Sequence, residues 1–579
     1  MDEFDVLVLG TGAAGLTAAV TAACEGARVA LFEKGDRVGG TSAYSGGMIW
    51  IPANSYRPAH RPDSREAALT YLRSLSNQRL SDEIIEAYVD AGPEMTQFLE
   101  ERTPIEWVCV PDFPDFHPEQ PGAAASGGRT LECPPYPFGE LGEWRDRVQV
   151  SPYFPDYHIT VGETTLGQPV PMEVPADVKR RRVENDERGL GLSLVARLLR
   201  GCLDRGIVPQ TEHRAVQLVM EHGALAGVLF DTPQGQREVR GTNVVLATGG
   251  FEWDEGLKRA FLRGPLTDAV SVPTNTGDGL RMAMRVGAML GNMSEAWWMP
   301  VIDVPTDVVP TGRQLLTAER TFPGSIMVNR SAQRFTNEAA NYNAFGAAFH
   351  ELDTTRGVYK NLPCWMIFNQ EFYSKYGLAG DITGGSGVEG TLGPDSGAEH
   401  ERQRAGAPDW ITASDTLAGL AERLGIPAEA LERTVDRFNS NAREGHDPDF
   451  HRGESIFDKW YGDPELRDGS AAPTLGPLEA GPYYGIEVKS GALGTKGGPL
   501  TDRTGAVLDV DGHRIDGLYA AGNAMASAMG MTYGGAGGTL GPAMIFGYLA
   551  GRDIARRLAP AGAGARTTAI AVRAQVGGR

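Results

Sequence analysis

One phenol stands inside a run of glycines toward the C-terminal end of the chain: Met531-Thr-Tyr533-Gly-Gly-Ala-Gly-Gly-Thr-Leu-Gly-Pro542. Gly534, Gly535, Gly537 and Gly538 let backbone approach a ligand closely, and Tyr533 adds a hydroxyl donor. Such a loop needs elements to hold it. Gly517-Leu-Tyr-Ala-Ala-Gly522-Asn523 reads as the end of a strand, and a helix is expected to open near Gly541 and Pro542, where a missing N–H costs nothing. Free N–H groups at that junction can hold a carbonyl or anionic oxygen. A buried tyrosine in a glycine-rich turn is the bland alternative, but glycines this dense around one hydroxyl favour a place of reaction.

The other end of the chain supplies what a reaction needs. Phe4-Asp-Val-Leu-Val-Leu9 is a short apolar run, followed by Gly10-Thr-Gly12-Ala-Ala-Gly15, an alanine-rich helical stretch and a second apolar run, Arg28-Val-Ala-Leu-Phe32, that ends at Glu33. Strand, G-x-G-x-x-G, helix, strand and acid together define a dinucleotide-binding unit. Gly10 makes the tight turn, Gly12 admits the pyrophosphate, Gly15 packs helix on strand, and Glu33 takes the ribose hydroxyls. The acid falls where the unit places it, about 20 residues beyond the glycines. No second complete unit is present, so a bound nicotinamide reductant is not indicated.

A chain of 579 residues with 41% hydrophobic content can bury a large core in more than one domain, and a net charge of −20 disfavours nucleic acid as a partner. Arg180, Arg181 and Arg182, close to Glu184, Asp186 and Glu187, read as a solvated face. Cys24, Cys109, Cys133, Cys202 and Cys364 are scattered, without metal-ligand spacing or a disulfide frame. The first strand begins within a few residues of Met1, leaving no room for a secretory leader, and no transmembrane run of apolar residues is present. The expectation is a soluble, cytoplasmic protein, with an Ala/Gly-rich disordered tail over 560–579.

Between the two ends, a Pro/Gly/Ser-rich stretch over about 111–174 carries Tyr136, Tyr153, Phe154 and Tyr157 and reads as a lid-like insertion or a surface excursion. A helix is expected over 191–204 and strands around 217–229 and 238–247. The composition shifts at Trp297-Trp298, and Pro473 and Pro477 begin a return. The fold class is then α/β, a discontinuous Rossmann-type domain (1–297 and 472–559) interrupted by an inserted α+β substrate or catalytic domain (298–471). A substrate site belongs between the two.

Two more segments choose the dinucleotide. Gly39-Gly40-Thr41-Ser42-Ala-Tyr-Ser-Gly46-Gly47 and Val244-Val-Leu-Ala247-Thr248-Gly249-Gly250-Phe251 resemble flavin-contacting segments of the fumarate reductase/succinate dehydrogenase flavoprotein superfamily. Apart from the segment after Glu132 and the tail, almost the whole chain resembles the 3-ketosteroid Δ1-dehydrogenase (3-oxosteroid 1-dehydrogenase) family. The further markers are Asn275-Thr-Gly-Asp278-Gly, Arg334-Phe-Thr-Asn-Glu-Ala-Ala-Asn-Tyr342, Asp449-Phe-His-Arg-Gly-Glu454, Leu493-Gly-Thr-Lys-Gly-Gly498 and the Tyr533 loop. The resemblance implies an FAD-binding domain, with contacts from Gly10, Gly12, Ala14 and Gly15, from Glu33 and Lys34, and from Gly40, Thr41, Ser42, Gly46 and Gly47. It adds Ala247, Thr248, Gly249 and Asp278, then Gly522, Asn523, Gly538 and Leu540. No His or Cys lies in 39–47, so FAD is expected to be held without a covalent bond.

The resemblance also implies a reaction. Two vicinal hydrogens leave C1 and C2 beside the ketone of a 3-ketosteroid or similar polycyclic ketone, and the electrons pass through FAD to a separate acceptor. Tyr533 O–H and the Gly537 N–H hold the ketone, Tyr342 takes the proton from C2, and the hydride goes from C1 to flavin N5. Each well-placed donor contributes about 2.7–4 kcal/mol. A phenol acting as base at pH 7 costs about 4 kcal/mol unless the site lowers its pKa. The family supports that base with a tyrosine in Phe-Pro-Asp-Tyr, whereas this chain reads Phe113-Pro-Asp-Phe116; Tyr157, in Phe154-Pro-Asp-Tyr157, and His117 are the available substitutes. Trp297, Trp298, Phe345 and the insertion's aromatics are expected to line the pocket, and Tyr483 and Tyr484 to pack. A fumarate-type reductase would need an arginine before its glycine turn, and none lies between Gly522 and Gly551. A Δ4-type dehydrogenase remains the alternative, as does a desaturase of another cyclic ketone. A non-catalytic flavoprotein would require neither Tyr342 nor Tyr533.

Overall fold

The computed structural model describes residues 3–154, 157–168, 174–378 and 406–559; the expected tail lies outside them. Apolar runs too continuous to alternate set the first sheet. Residues 6–9, 244–246 and 518–520 are buried on both faces, as parallel strands covered by helices must be. Glu3–Leu9 lies between Val29–Phe32 and Gly235–Leu246, which pairs in turn with Arg514–Ala520, all parallel, and Ala506–Leu508 closes that edge antiparallel. Leu9 stands opposite both Phe32 and Leu246. The strands therefore end together and deliver Gly10, Glu33, Ala247 and Ala521 to one edge, where such sheets bind ligands.

The strand expected around 217–229 is two strands, Arg214–Glu221 and Ala224–Thr232, because His222 and Gly223 both take positive φ and turn the chain between them. Helices Ala13–Cys24 and Leu540–Leu558 pack through small residues. A Cβ on Gly547 would lie 2.4 Å from the Ala14 oxygen, and one on Gly551 2.9 Å from that of Ala18. Pro542 sits in the first turn of the second helix, as expected.

A second sheet runs Arg313–Leu315, Ala296–Asp303, Tyr483–Thr495, Cys364–Asn369, Ser325–Asn329. The thirteen-residue strand Tyr483–Thr495 is its spine. Tyr484 packs there on Phe368 and Tyr373. We propose that the inserted domain is built on the second sheet and reaches beyond the 298–471 read from the sequence, because the spine strand Tyr483–Thr495 and the strand Asp268–Ala269 that pairs with it lie in stretches assigned to the first domain. Arg182 departs from the solvated face expected of its run. It is buried and pairs with Glu163 at 2.6 Å, fastening the insertion. Among the described residues, no helix is long and apolar enough to cross a membrane.

Behind the second sheet, Glu338 joins Arg334 at 2.7 Å and Arg452 at 3.3 Å and accepts the Met327 N–H at 3.1 Å, anchoring the segment that leads to Tyr342. Burial pushes the Glu338 carboxyl up, but Arg334 and Arg452 outweigh it and hold it below the usual range. Its contribution to stability is then full above a pH of about 4.3 and lost as pH falls through the lower, folded value. Glu338→Gln leaves Arg452 without a counter-ion and should cost about 3–5 kcal/mol, read as a fall in the urea midpoint, with less of the remaining stability lost on acidification.

Candidate active site

The edge where the parallel strands end is one wall of a long cavity. Gly10 takes φ +109°, and a Cβ there would fall 2.2 Å from the Ala247 oxygen; a Cβ on Gly15 would fall 1.9 Å from the Gly10 oxygen. At Gly12 the nearest atom to a Cβ is Ser42 Oγ, at 3.3 Å, and at Gly40 nothing lies within 4 Å. Those two glycines leave bare backbone at the cavity. Glu33 accepts the Thr11 N–H at 3.1 Å, the Thr11 hydroxyl at 2.6 Å and the Gly35 N–H at 2.9 Å, which aims its carboxylate and leaves acceptor capacity for a ribose. Lys34 Nζ pairs with Asp278 at 2.9 Å.

The cavity is lined by Gly10, Gly12, Ala14, Glu33, Lys34, Gly40, Thr41, Ser42, Gly46, Gly47, Ala247, Thr248, Gly249, Asp278, Gly522, Asn523 and Leu540, all expected at the cofactor. Gly15 and Gly538 do not line it. Gly15 is consumed in helix–strand packing, and the Gly538 N–H donates to the Gly535 oxygen at 2.9 Å. Bare glycine backbone, an aimed acid and a buried Thr248 hydroxyl with no partner among the described residues fit a flavin dinucleotide.

Beyond this cradle the cavity receives Tyr342 and Tyr533. Tyr342 opens the helix Tyr342–Ala347, capped by Asn341, whose side chain accepts the Ala344 N–H at 3.0 Å. The two rings meet edge-on, centroids 5.4 Å apart, and Phe116 lies 5.5 Å from one and 5.0 Å from the other. Thr539, which the sequence did not single out, shares a 2.8 Å hydrogen bond with the Tyr533 hydroxyl. Burial pushes both phenols up, Tyr342 well above its ordinary value, so each holds its proton firmly in the free site. Gly537 has φ +93°, and a Cβ there would fall 2.5 Å from the Ile49 backbone. Glycine is thus required at 537 by the Ile49 backbone. The Gly537 oxygen accepts Trp50 N–H at 3.2 Å and Gly541 N–H at 2.9 Å, while its own N–H has no acceptor among the described residues.

The loop around Tyr533 is fixed from several sides. The Gly534 oxygen accepts the Phe116 N–H at 3.0 Å and the Tyr71 hydroxyl at 2.6 Å, and Thr130 reaches the Ala536 oxygen at 3.1 Å. Lys496, wholly buried, donates to the Thr532 oxygen at 2.7 Å, the Met531 oxygen at 3.1 Å and Asn343 Oδ1 at 3.3 Å. Its ammonium also sits 4.2 Å over the Trp297 ring, whose edge meets Tyr533 at 4.9 Å and whose N–H donates to Asn523 at 2.9 Å. One cation therefore joins the backbone before Tyr533 to the residue after Tyr342.

The walls differ in part from the expected ones. Trp297 lies behind Tyr533, and Trp298, its neighbour on the strand, points to the opposite face and packs with Leu266, Ala269 and Ala492. Phe345 lies beneath Arg320, 5.0 Å from its guanidinium. The insertion's aromatics do line the cavity, through Tyr153 and Phe154, and the other apolar walls come from Val161 and Leu166 beside them and from Val270, Met299, Leu315 and Leu493. Neither substitute for the missing phenol lines the cavity: Tyr157 lies 5.5 Å from Arg188, and His117 stands 3.3 Å from the Asn341 amide. Tyr461 does line it, and nothing in the aromatic run 457–461 announced that. Lys496 stands within the motif Leu493-Gly-Thr-Lys-Gly-Gly498, where its residue type alone does not announce a role. Lys496→Met should leave the flavin absorbance intact while turnover falls about 10²-fold, because a misplacement of about 1 Å suffices for that; stopped-flow flavin reduction measures it.

Comparison with known proteins agrees with this geometry. The family model described as an FAD binding domain matches residues 5–540. The chain is 40% identical to 4-oxocyclohexanecarboxylate 2-dehydrogenase of Sinomonas cyclohexanicum, over 96% of this chain and 93% of that protein. It is 38% identical to 3-oxosteroid 1-dehydrogenase of Mycobacterium tuberculosis, over 96% and 99%. The crystal structure of 3-ketosteroid Δ1-dehydrogenase from Sterolibacterium denitrificans in complex with 1,4-androstadiene-3,17-dione superposes with a TM-score of 0.83 at 32% identity, covering 96% of this chain and all of that one. With a nucleotide unit, a paired-phenol site and relatives that match nearly end to end, the chain belongs to the FAD-binding flavoprotein family and, within it, to the 3-oxosteroid 1-dehydrogenase group of FAD-dependent CH–CH dehydrogenases.

Proposed function

We propose that this enzyme introduces a C1–C2 double bond beside the 3-ketone of a 3-ketosteroid. The observation that carries the reading is the edge-on pair of phenols in an apolar chamber continuous with the flavin cradle. FAD, when bound, accepts the hydride. Tyr533 O–H, oriented by Thr539, and the Gly537 N–H hold the ketone oxygen as negative charge grows on it, each worth about 2.7–4 kcal/mol. Tyr342 takes the proton from the adjacent carbon. Phe116, Met299, Leu315 and the insertion residues Tyr153, Phe154 and Leu166 keep water from the reacting carbons.

The chamber favours an uncharged polycyclic ketone. The cationic or titratable bases that line the cavity are Lys34 and His213, and both belong to its nucleotide end, Lys34 paired with Asp278 and His213 beside the Glu33 backbone. The relative that acts on 4-oxocyclohexanecarboxylate supports a second reading, a small ring ketone, because the same phenols would serve it. The electrons then pass to a separate acceptor, and five free thiols suit a reducing cytoplasm.

Anaerobic mixing with 4-androstene-3,17-dione should bleach the flavin and yield a product lighter by two hydrogens. Tyr533→Phe should slow bleaching about 10²–10³-fold, and Tyr342→Phe should abolish it. Bleaching by 4-oxocyclohexanecarboxylate but not by the steroid would establish the second reading instead.

A further inference from the structure

Two peptide units meet at Gly537, and each is held by a residue of one short sheet. Strands Ile49–Trp50 and Thr130–Glu132 run antiparallel with Trp50 directly opposite Thr130, and Val110 stands opposite Thr130 on its other side. The Thr130 hydroxyl reaches the Ala536 oxygen at 3.1 Å, and the Trp50 N–H reaches the Gly537 oxygen at 3.2 Å. A carbonyl oxygen can only accept, so the Thr130 O–H is the donor. One clamp therefore holds the peptide before the Gly537 α-carbon, and the other holds the peptide after it.

The first clamp decides where the N–H points. In a planar trans peptide the C=O and the N–H lie antiparallel, and the bond between Ala536 and Gly537 is not cis. With its oxygen turned to Thr130, this unit presents its N–H to the opposite side. Thr130 is buried and lies outside the cavity, whereas Tyr533, Ala536 and Gly537 line it, so the opposite side is the cavity. Glycine at a φ of +93° has a backbone freedom that other residues lack, and without the clamp the peptide could turn over. A hydrogen bond at the oxygen also polarises the unit and strengthens the donor at its other end.

The clamp is itself held stiffly. Threonine branches at Cβ, which leaves its hydroxyl few directions. Arg129, its neighbour, is buried and joins Asp63 at 2.6 Å and Asp115 at 2.7 Å, and Asp115 accepts the Trp50 indole N–H at 2.7 Å. One cation thereby ties the two clamping strands together. The indole in turn closes on the loop: a Cβ on Gly535 would fall 2.3 Å from the Trp50 Nε1.

We propose that Thr130 is a positioning residue for the dehydrogenation, its hydroxyl turning the Ala536–Gly537 peptide so that the N–H meets the ketone oxygen as negative charge grows there. This rests on the ketone being held at the Tyr533 loop. Thr130 acts through one peptide unit and touches no reacting atom.

The test uses flavin-loaded enzyme, whichever of the two ketones above bleaches it, and the carbonyl stretch of the bound enone product, isolated by isotope labelling of its ketone. Donors at the oxygen lower that frequency, so it reads the aim of the N–H and not the fold alone. Thr130→Val, close in shape but without the hydroxyl, should slow flavin reduction about 10–10²-fold, because a misplacement of about 1 Å suffices for the larger figure, and should raise the carbonyl stretch. Thr130→Ser, which keeps the hydroxyl on a freer side chain, should restore most of both. An unchanged rate in Thr130→Val, or a slowed rate with an unmoved carbonyl stretch, would overturn the inference. Tyr533→Phe separates the two readings: if it leaves rate and stretch as in the wild type, the ketone is not held at this loop and the underlying reading is wrong. If Tyr533→Phe changes both while Thr130→Val changes neither, only the role of Thr130 fails. Should Thr130→Val not retain FAD, Thr130→Ala compared with Thr130→Ser by the same stretch decides.

Discussion

Two phenols from different parts of the chain must face one another, and one of them rides on a loop made largely of glycine. Glycine lets that backbone approach a ligand, and the same freedom would let the loop wander. The Lys496 ammonium removes it. Placed one residue beyond the spine strand Tyr483–Thr495, it holds two carbonyls ahead of Tyr533 and the amide oxygen of Asn343 after Tyr342. Burying the ammonium is unfavourable, and burial draws its pKa down to about 7. Three oxygens and the face of Trp297 offset that cost. The remaining hydrogen bonds to the loop, from Phe116, Tyr71, Thr130 and Trp50, come from the first 130 residues of the chain. The loop is thus gripped by residues from both ends of the chain.

The cavity divides its chemistry along its length. At one end, glycine backbone, Glu33 and the Lys34–Asp278 pair meet a charged, hydrogen-bonding ligand; at the other, Met299, Leu315 and the insertion's aromatics meet an apolar one. The phenols stand where the two environments join. A dehydrogenation beside a ketone needs polar groups only at that join, and elsewhere they would admit water.

The nucleotide unit was readable in the sequence because its glycines, apolar runs and acid stand at fixed spacing within one strand–turn–helix–strand, where Gly15 closes on the Gly10 oxygen, although what excludes a side chain at Gly10 is Ala247, far along the chain. Tyr533 was readable because its neighbours are as diagnostic as itself. What escaped depends on distant parts of the chain. Two adjacent tryptophans in an apolar strand give no sign of which one faces the site, and the structure placed Trp297 toward Tyr533 and Trp298 away from it. Tyr461 and Thr539 acquire their roles only from what folds against them. Arg182 looked solvated in a charged run, yet Glu163, outside that run, pairs with it and it is buried. Gly538 looked like another ligand-facing glycine until its amide was found closing a turn.

The close seam between helices Ala13–Cys24 and Leu540–Leu558 has a consequence for the order of events during synthesis. The first strand, turn and helix emerge early, but the cradle they begin lacks Gly522, Asn523 and Leu540, and the parallel sheet lacks Arg514–Ala520, until more than five hundred residues have been made. Contacts so distant in sequence form late, after a large loop has closed. The nascent N-terminal unit therefore carries an apolar sheet with one edge open for most of translation. Flavin loading becomes a final step, able to bind only a chain whose ends have already met.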